Sequence, residues 1–157
     1  MADAARQEAA SSQTIYLVSS EDLKLAVDTK AACISTLVRN AVMTDHSVSE
    51  VKVAVNGKIL QKIVNYMSYH AGVEAEIPEM PLRSKNFQEV CKDPFDSNFI
   101  DSLDDRGANR QQLYDLIIAA NYLDIRTLLH LGCAKVATLI KNQPVENMKD
   151  ALSGTKF

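Results

Sequence analysis

The sequence predicts an α+β fold: a small three-stranded sheet covered by helices, with a C-terminal helical extension. Three observations carry this. After a short β-type run at Thr14 to Ser19, the stretches Leu23 to Val27 and Val48 to Val55 alternate apolar residues with others, the period-two signature of half-buried strands. From Asn56 to Gly72, and again from Leu113 to Ile140, apolar residues recur at helical spacing. Between these helical stretches, Pro78, Pro81, Pro94 and Gly107 punctuate the chain.

Taken in order, the first strand is "TIYLVS", Thr14 to Ser19, and "SSED" is a turn. Leu23, Leu25 and Val27 alternate with Lys24 and Ala26, which makes a second strand and a hairpin. Asp28 or Thr29 is suited to cap a helix over Ala31 to Ala41. Val51, Val53 and Val55 mark the third strand. Asn56 caps the next helix, whose stripe is Ile59, Leu60, Ile63, Val64, Met67 and Ala71, with Gly72 as the residue that closes it. From Val73 to Cys91 the pattern dissolves into a long loop holding Pro78 and Pro81. "DPFDSNFIDSL" is a short helix with Pro94 at its first position, and Gly107 to Asn109 breaks it.

The most apolar stretch follows, from Leu113 to Pro144. Placed at about 100° per residue, Leu113, Leu116, Ile117, Ala120 and Leu123 share one face, enough to seat a helix on a core. Ile118 and Tyr122 fall on the other side, near Asn121, as a small off-core patch. A second helix starts near Asp124. Ile125, Leu128, Leu129, Gly132, Cys133, Val136, Leu139 and Ile140 spread over roughly 140°, more than one packed face requires. Leu128, Gly132 and Leu139 are expected to face the domain, and Leu129, Cys133, Val136 and Ile140 to face something else. The tail supplies only Val145, Met148, Ala151, Leu152 and Phe157 to cover them. It is therefore expected to be loosely held alone and to order on binding. Either the tail covers the stripe or it is left uncovered, and an uncovered apolar stripe of that length marks a partner site.

Composition narrows the function. The 157 residues are 46% hydrophobic, with a net charge of −3 and an isoelectric point near 5.6. No basic tract interleaves with aromatics, which disfavours nucleic acid, and no apolar run is long enough to span a membrane. Residues 1–13 lack the basic-then-apolar pattern of a signal peptide and look like a disordered arm. Three widely spaced cysteines, Cys33, Cys91 and Cys133, fit reduced thiols in the cytoplasm or nucleus. No catalytic cluster, metal-ligand spacing or phosphate-binding loop is present, so no cofactor, metal or turnover is expected. His130 and Cys133 lie three apart on a helix, but a zinc site would need two more ligands.

"LIIAANYLDI", "LL" and "CAKVATLIK" closely resemble the signature of the S-phase kinase-associated protein 1 family, the adaptor subunits of SCF ubiquitin ligases. "LKLAVD", "ILQKIVNYMSYH" and "DPFDSNFI" resemble further family segments, and the likeness runs from Thr14 to Leu152. It implies a BTB/POZ domain over residues 14–124 and an F-box-binding extension over 125–157. It also implies a non-catalytic adaptor bridging a cullin scaffold to F-box substrate receptors for ubiquitin-dependent degradation, in cytoplasm and nucleus. It leaves a homodimer of the unbound chain open. Asn121 and Tyr122 match the family's cullin-contacting pair, with Ile118 beside them. Leu129, Cys133, Val136 and Ile140 match residues lining the F-box groove, Leu113 and Ile117 sit where the preceding helix joins it, and Met148 and Leu152 resemble the apolar pair of the next helix. The sequence departs from the family in its mildly mixed loop "VEAEIPEMPLRSKNFQEVCK", in Phe95 where tryptophan is usual, and in lacking the charged, aromatic-tailed C-terminal helix. The last implies the loss of some F-box contact. Pro144 resembles a proline hydroxylated in some protists, four residues before Met148 instead of three, and is a candidate for hydroxylation. The alternatives are an elongin C-like cullin adaptor, suggested by "IPEMP", and a structural subunit of another F-box-containing assembly. The stretch from Ile140 to Leu152 favours the F-box adaptor over elongin C.

Overall fold

The computed structural model describes residues 13–73, 84, 86–104, 110–141 and 144–153. The expected arm, the Pro78–Pro81 loop, the break at Gly107–Asn109 and Phe157 lie outside the described residues. The chain forms two compact units, Met1–Glu74 and Ala75–Phe157.

The first unit is built on a three-stranded sheet of order β2-β1-β3. β1 (Thr14–Val18) and β2 (Lys24–Asp28) pair antiparallel, with Ile15 opposite Val27 and Leu17 opposite Leu25. The alternation does its expected work: Ile15, Leu17 and Val27 are buried on one face, while Tyr16, Lys24 and Ala26 are exposed on the other. The Ser19 hydroxyl holds the turn, accepting hydrogen bonds from the amides of Glu21 and Leu23 at 3.2 and 3.1 Å. The third strand is shorter than the alternation suggests. β3 (Glu50–Lys52) runs parallel to β1, yet Val53 and Val55 are also buried. The Val53 amide still donates to the Val18 carbonyl and Ser20 donates to Val55, so the chain follows the hairpin past the end of the ladder.

The single helix expected over Ala31 to Ala41 is two. α1 (Thr29–Ala32) is capped by Asp28, and α2 (Thr36–Thr44) by Ser35, whose hydroxyl accepts from the Val38 amide. A serine inside an apolar run offers its side chain to the backbone and restarts the helix there. α3 (Gly57–His70) keeps its expected Asn56 cap and buried stripe, to which Tyr66 is added at 0% exposure. It packs on α1 and β2. Ala71 is not part of that stripe; it takes the left-handed C-cap conformation at φ 50°. Gly72 follows at φ 85°, so close to Lys30 that a Cβ would lie 3.0 Å from its carbonyl oxygen.

The second unit is helical throughout its described part. α4 (Phe87–Val90) and α5 (Pro94–Asp101) are capped by Asn86 and Asp93, and Pro94 opens α5. α6 (Gln111–Leu123) and α7 (Arg126–Ile140) pack together, and α8 (Val145–Ser153) lies against α7. Asp124, in the left-handed region at φ 52°, makes the corner between α6 and α7, and Ile125 is fully buried beneath it. The described part of the tail is helical over Val145–Ser153.

α7 turns Leu128 and Gly132 inward as anticipated, but the rest of its buried line differs. Thr127, Leu128, Leu131, Gly132, Ala134 and Thr138 are buried, whereas Leu139 is only half-buried. The line Thr127, Leu131, Ala134 and Thr138 runs at spacings of four, three and four. Thr138 satisfies its hydroxyl on the Lys135 carbonyl at 2.6 Å, which lets it sit in the core. Lys135 reaches from α7 to the end of α5. Its ammonium lies 2.9 Å from Asp101 and 3.8 Å from Asp104, over the Phe87 ring, with Arg110 also beside Asp104 at 3.3 Å.

Candidate protein-binding groove

α6 and α7 approach most closely at Gly132. A Cβ there would lie 2.6 Å from Cγ1 of Ile117, so glycine is what lets Ile117 lie across α7. Ile117 is consequently half-buried, outside the fully buried set of Leu113, Leu116, Ala119, Ala120 and Leu123. Beside this crossing an apolar groove of about 460 Å³ opens, lined by Tyr114, Ile117, Cys133, Val136 and Leu152. Among the described residues its lining carries no charge and a single hydroxyl, on Tyr114, which donates to the Leu152 backbone carbonyl. Burial raises the Tyr114 phenol above its ordinary value, so it stays a donor across the neutral range.

Of the expected groove residues, the structure gathers Ile117, Cys133, Val136 and Leu152 around this space. Leu129, Ile140 and Met148 are half-buried nearby in sequence but do not line it. Leu113 is fully buried; its side chain belongs to the groove's support and is removed from the contact surface. Tyr114 was missed. Its position three residues before Ile117, on the same helical stripe, was the available signal. On the solvent side of α6, Ile118 is 66% exposed and Tyr122 43%, with Asn121 exposed between them. Pro144 is exposed just before α8, and its carbonyl accepts from the Asn147 amide at 2.9 Å.

The buried thiols are poor nucleophiles. Burial pushes Cys91 up to about 11, with Asp96, Asp93 and Asp101 adding to the effect, and burial also raises Cys33. Both shifts run opposite to those that activate a thiolate. Among the described residues no helix is long and apolar enough to cross a membrane.

A small mixed sheet unit, followed by a helical unit with an uncharged open groove and a separate exposed apolar patch, defines a protein-binding module. Comparison with known proteins gives its family. Residues 13–72 match the family model described as "Skp1 family, tetramerisation domain". The chain is 37% identical over 139 residues to the S-phase kinase-associated protein 1 homolog of Tetrahymena thermophila, covering 88% of this chain and 80% of that protein. It is 28% identical over 143 residues to the E3 ubiquitin ligase complex SCF subunit sconC of Arthroderma otae, covering 90% and 82%. With the sconC subunit of Talaromyces stipitatus the identity is 29% over 138 residues, covering 86% and 81%. The chain belongs to the S-phase kinase-associated protein 1 family.

Proposed function

We propose that this chain is the non-catalytic adaptor of an SCF-type cullin–RING ubiquitin ligase, holding an F-box substrate receptor on a cullin scaffold. The observation that carries the reading is the groove bordered by α6, α7 and α8: about 460 Å³, apolar and open. An amphipathic helix laid into such a groove buries its apolar face and leaves no charge unpaired. The exposed Ile118, Asn121 and Tyr122 on α6 supply a second, smaller surface, read here as the cullin contact. The names of the relatives as SCF subunits support the assembly. The adaptor acts by fixing distance and orientation between its partners, in the cytoplasm and nucleus, where Cys33, Cys91 and Cys133 stay reduced. The extension begins at α7, and Pro144 is its candidate for hydroxylation.

The test is co-purification of the tagged chain from cells with mass-spectrometric identification of partners. A cullin together with several F-box proteins is the expected result. Recovery of one fixed assembly without a cullin would replace this reading with that of a structural subunit. A cullin without F-box proteins would favour the elongin C-like alternative.

A further inference from the structure

α8 has little to hold it. It is nine residues long, short enough to be marginal as an isolated helix. Val145 is 81% exposed, and the described apolar side chains on its inner face are Met148 and Leu152, four residues apart and each half-buried. Its last four carbonyls have no partner within the helix, and Leu152, next to last, carries one of them. The Tyr114 hydroxyl of α6 donates to that carbonyl. Tyr114 and Leu152 both line the groove, so the bond ties its α8 wall to its α6 wall.

The geometry points to Tyr114 as a latch: its hydroxyl caps the C-terminal end of α8 from the side and holds Leu152 at the groove before any partner arrives. This deepens the function proposed above and rests on it for the identity of the partner, though the latch itself does not. An α8 already seated spares an incoming helix the ordering of nine residues, and that raises affinity without adding a contact. A phenylalanine at position 114 would keep the ring against the groove and lose only the cap. Tyr114 is thus a positioning residue for Leu152, and its effect should be local.

The experiment is Tyr114→Phe in the full chain, read by hydrogen exchange of the α8 amides with those of α6 and α7 as internal reference. Exchange over residues 147–152 should rise about fivefold, the equivalent of one ordinary net hydrogen bond, while α6 and α7 exchange as before. Unchanged exchange in α8 would overturn the latch. So would a uniform rise across all three helices, because the hydroxyl would then support the whole unit. Binding of a synthetic F-box helix should weaken by a similar factor, about fivefold. An F-box helix that fails to bind even the unmodified chain would count against the proposed partner; the exchange result would still decide the latch.

Discussion

Replacing Gly132 with alanine sets two opposed effects against each other, and the crossing of α6 and α7 decides the sign. In a helix interior, Gly→Ala stabilises by about 1 kcal/mol through backbone entropy and propensity. Here the added methyl would lie 2.6 Å from Cγ1 of Ile117 and 3.3 Å from its Cδ1, when carbons pack at roughly 3.5–4.0 Å. The nearer atom is close to the β-branch, and such side chains are stiff at χ1, so Ile117 must leave its rotamer or the helices must separate. Overpacking of this kind costs about 1–3 kcal/mol. The net expectation is destabilisation of up to about 2 kcal/mol, with Ile117 displaced toward the groove. In an Ile117→Ala background the obstruction is gone, and Gly132→Ala should instead stabilise by about 0.5–1 kcal/mol. Urea denaturation of the four proteins reads both differences with the same slope. Stabilisation by Gly132→Ala with Ile117 in place would refute the close approach, and with it the construction of the groove.

Other expectations test separate parts of the structure. Lys135→Met leaves Asp101 and Asp104 without their shared cation at a largely buried site and should cost about 3 kcal/mol or more, measured by chemical denaturation. Asn121→Ala with Tyr122→Ala removes exposed side chains; stability should change by less than about 1 kcal/mol, while cullin binding measured by calorimetry weakens by about 2 kcal/mol. Thiol alkylation at pH 8 should modify exposed Cys133 before Cys91, whose thiol is held up to about 11. Because the unfolded thiol ionises first, the Cys91 contribution to stability is complete below about pH 9 and declines as pH rises toward 11. Melts of the chain and of Cys91→Ala should therefore diverge over that alkaline window.

Much of this architecture was legible in strictly periodic segments. The strands' alternation picked out Leu23, Leu25, Val27, Val51, Val53 and Val55; Val27 and the three later valines are buried, whereas Leu25 is half-buried and Leu23, just before β2, is 46% exposed. The α3 stripe and its Asn56 cap were equally plain, since both signals are local. α7 was harder to read. Its bulky apolar residues cover a wider arc than its core contact, and the true inward line runs through Thr127, Ala134 and Thr138, which no hydrophobicity count favours. Lys135 shows the same limit. The carboxylates that let it turn inward lie outside α7, at Asp101 and Asp104, which α7's own periodicity does not encode. At the groove, Cys133 and Val136 fell on the outward arc by spacing, and Leu152 came from the family resemblance. The role of Tyr114 depends on a hydrogen bond between residues 38 apart in the chain, which periodicity does not encode.

The central claim is that one chain offers two independent surfaces, the groove for an F-box helix and the α6 patch for a cullin. Val136→Glu tests it most directly. Val136 is half-buried among Tyr114, Ile117, Cys133 and Leu152, none of which carries a positive charge, so an incoming helix would bury the charge without a counter-ion at a cost of about 3 kcal/mol or more. Without a partner the carboxylate remains in contact with water and the fold should survive. Calorimetric titration of this variant with an F-box protein and with a cullin N-terminal region should show F-box affinity falling about 100-fold or more and cullin affinity unchanged. Equal loss of both partners, or retention of both, would contradict the account.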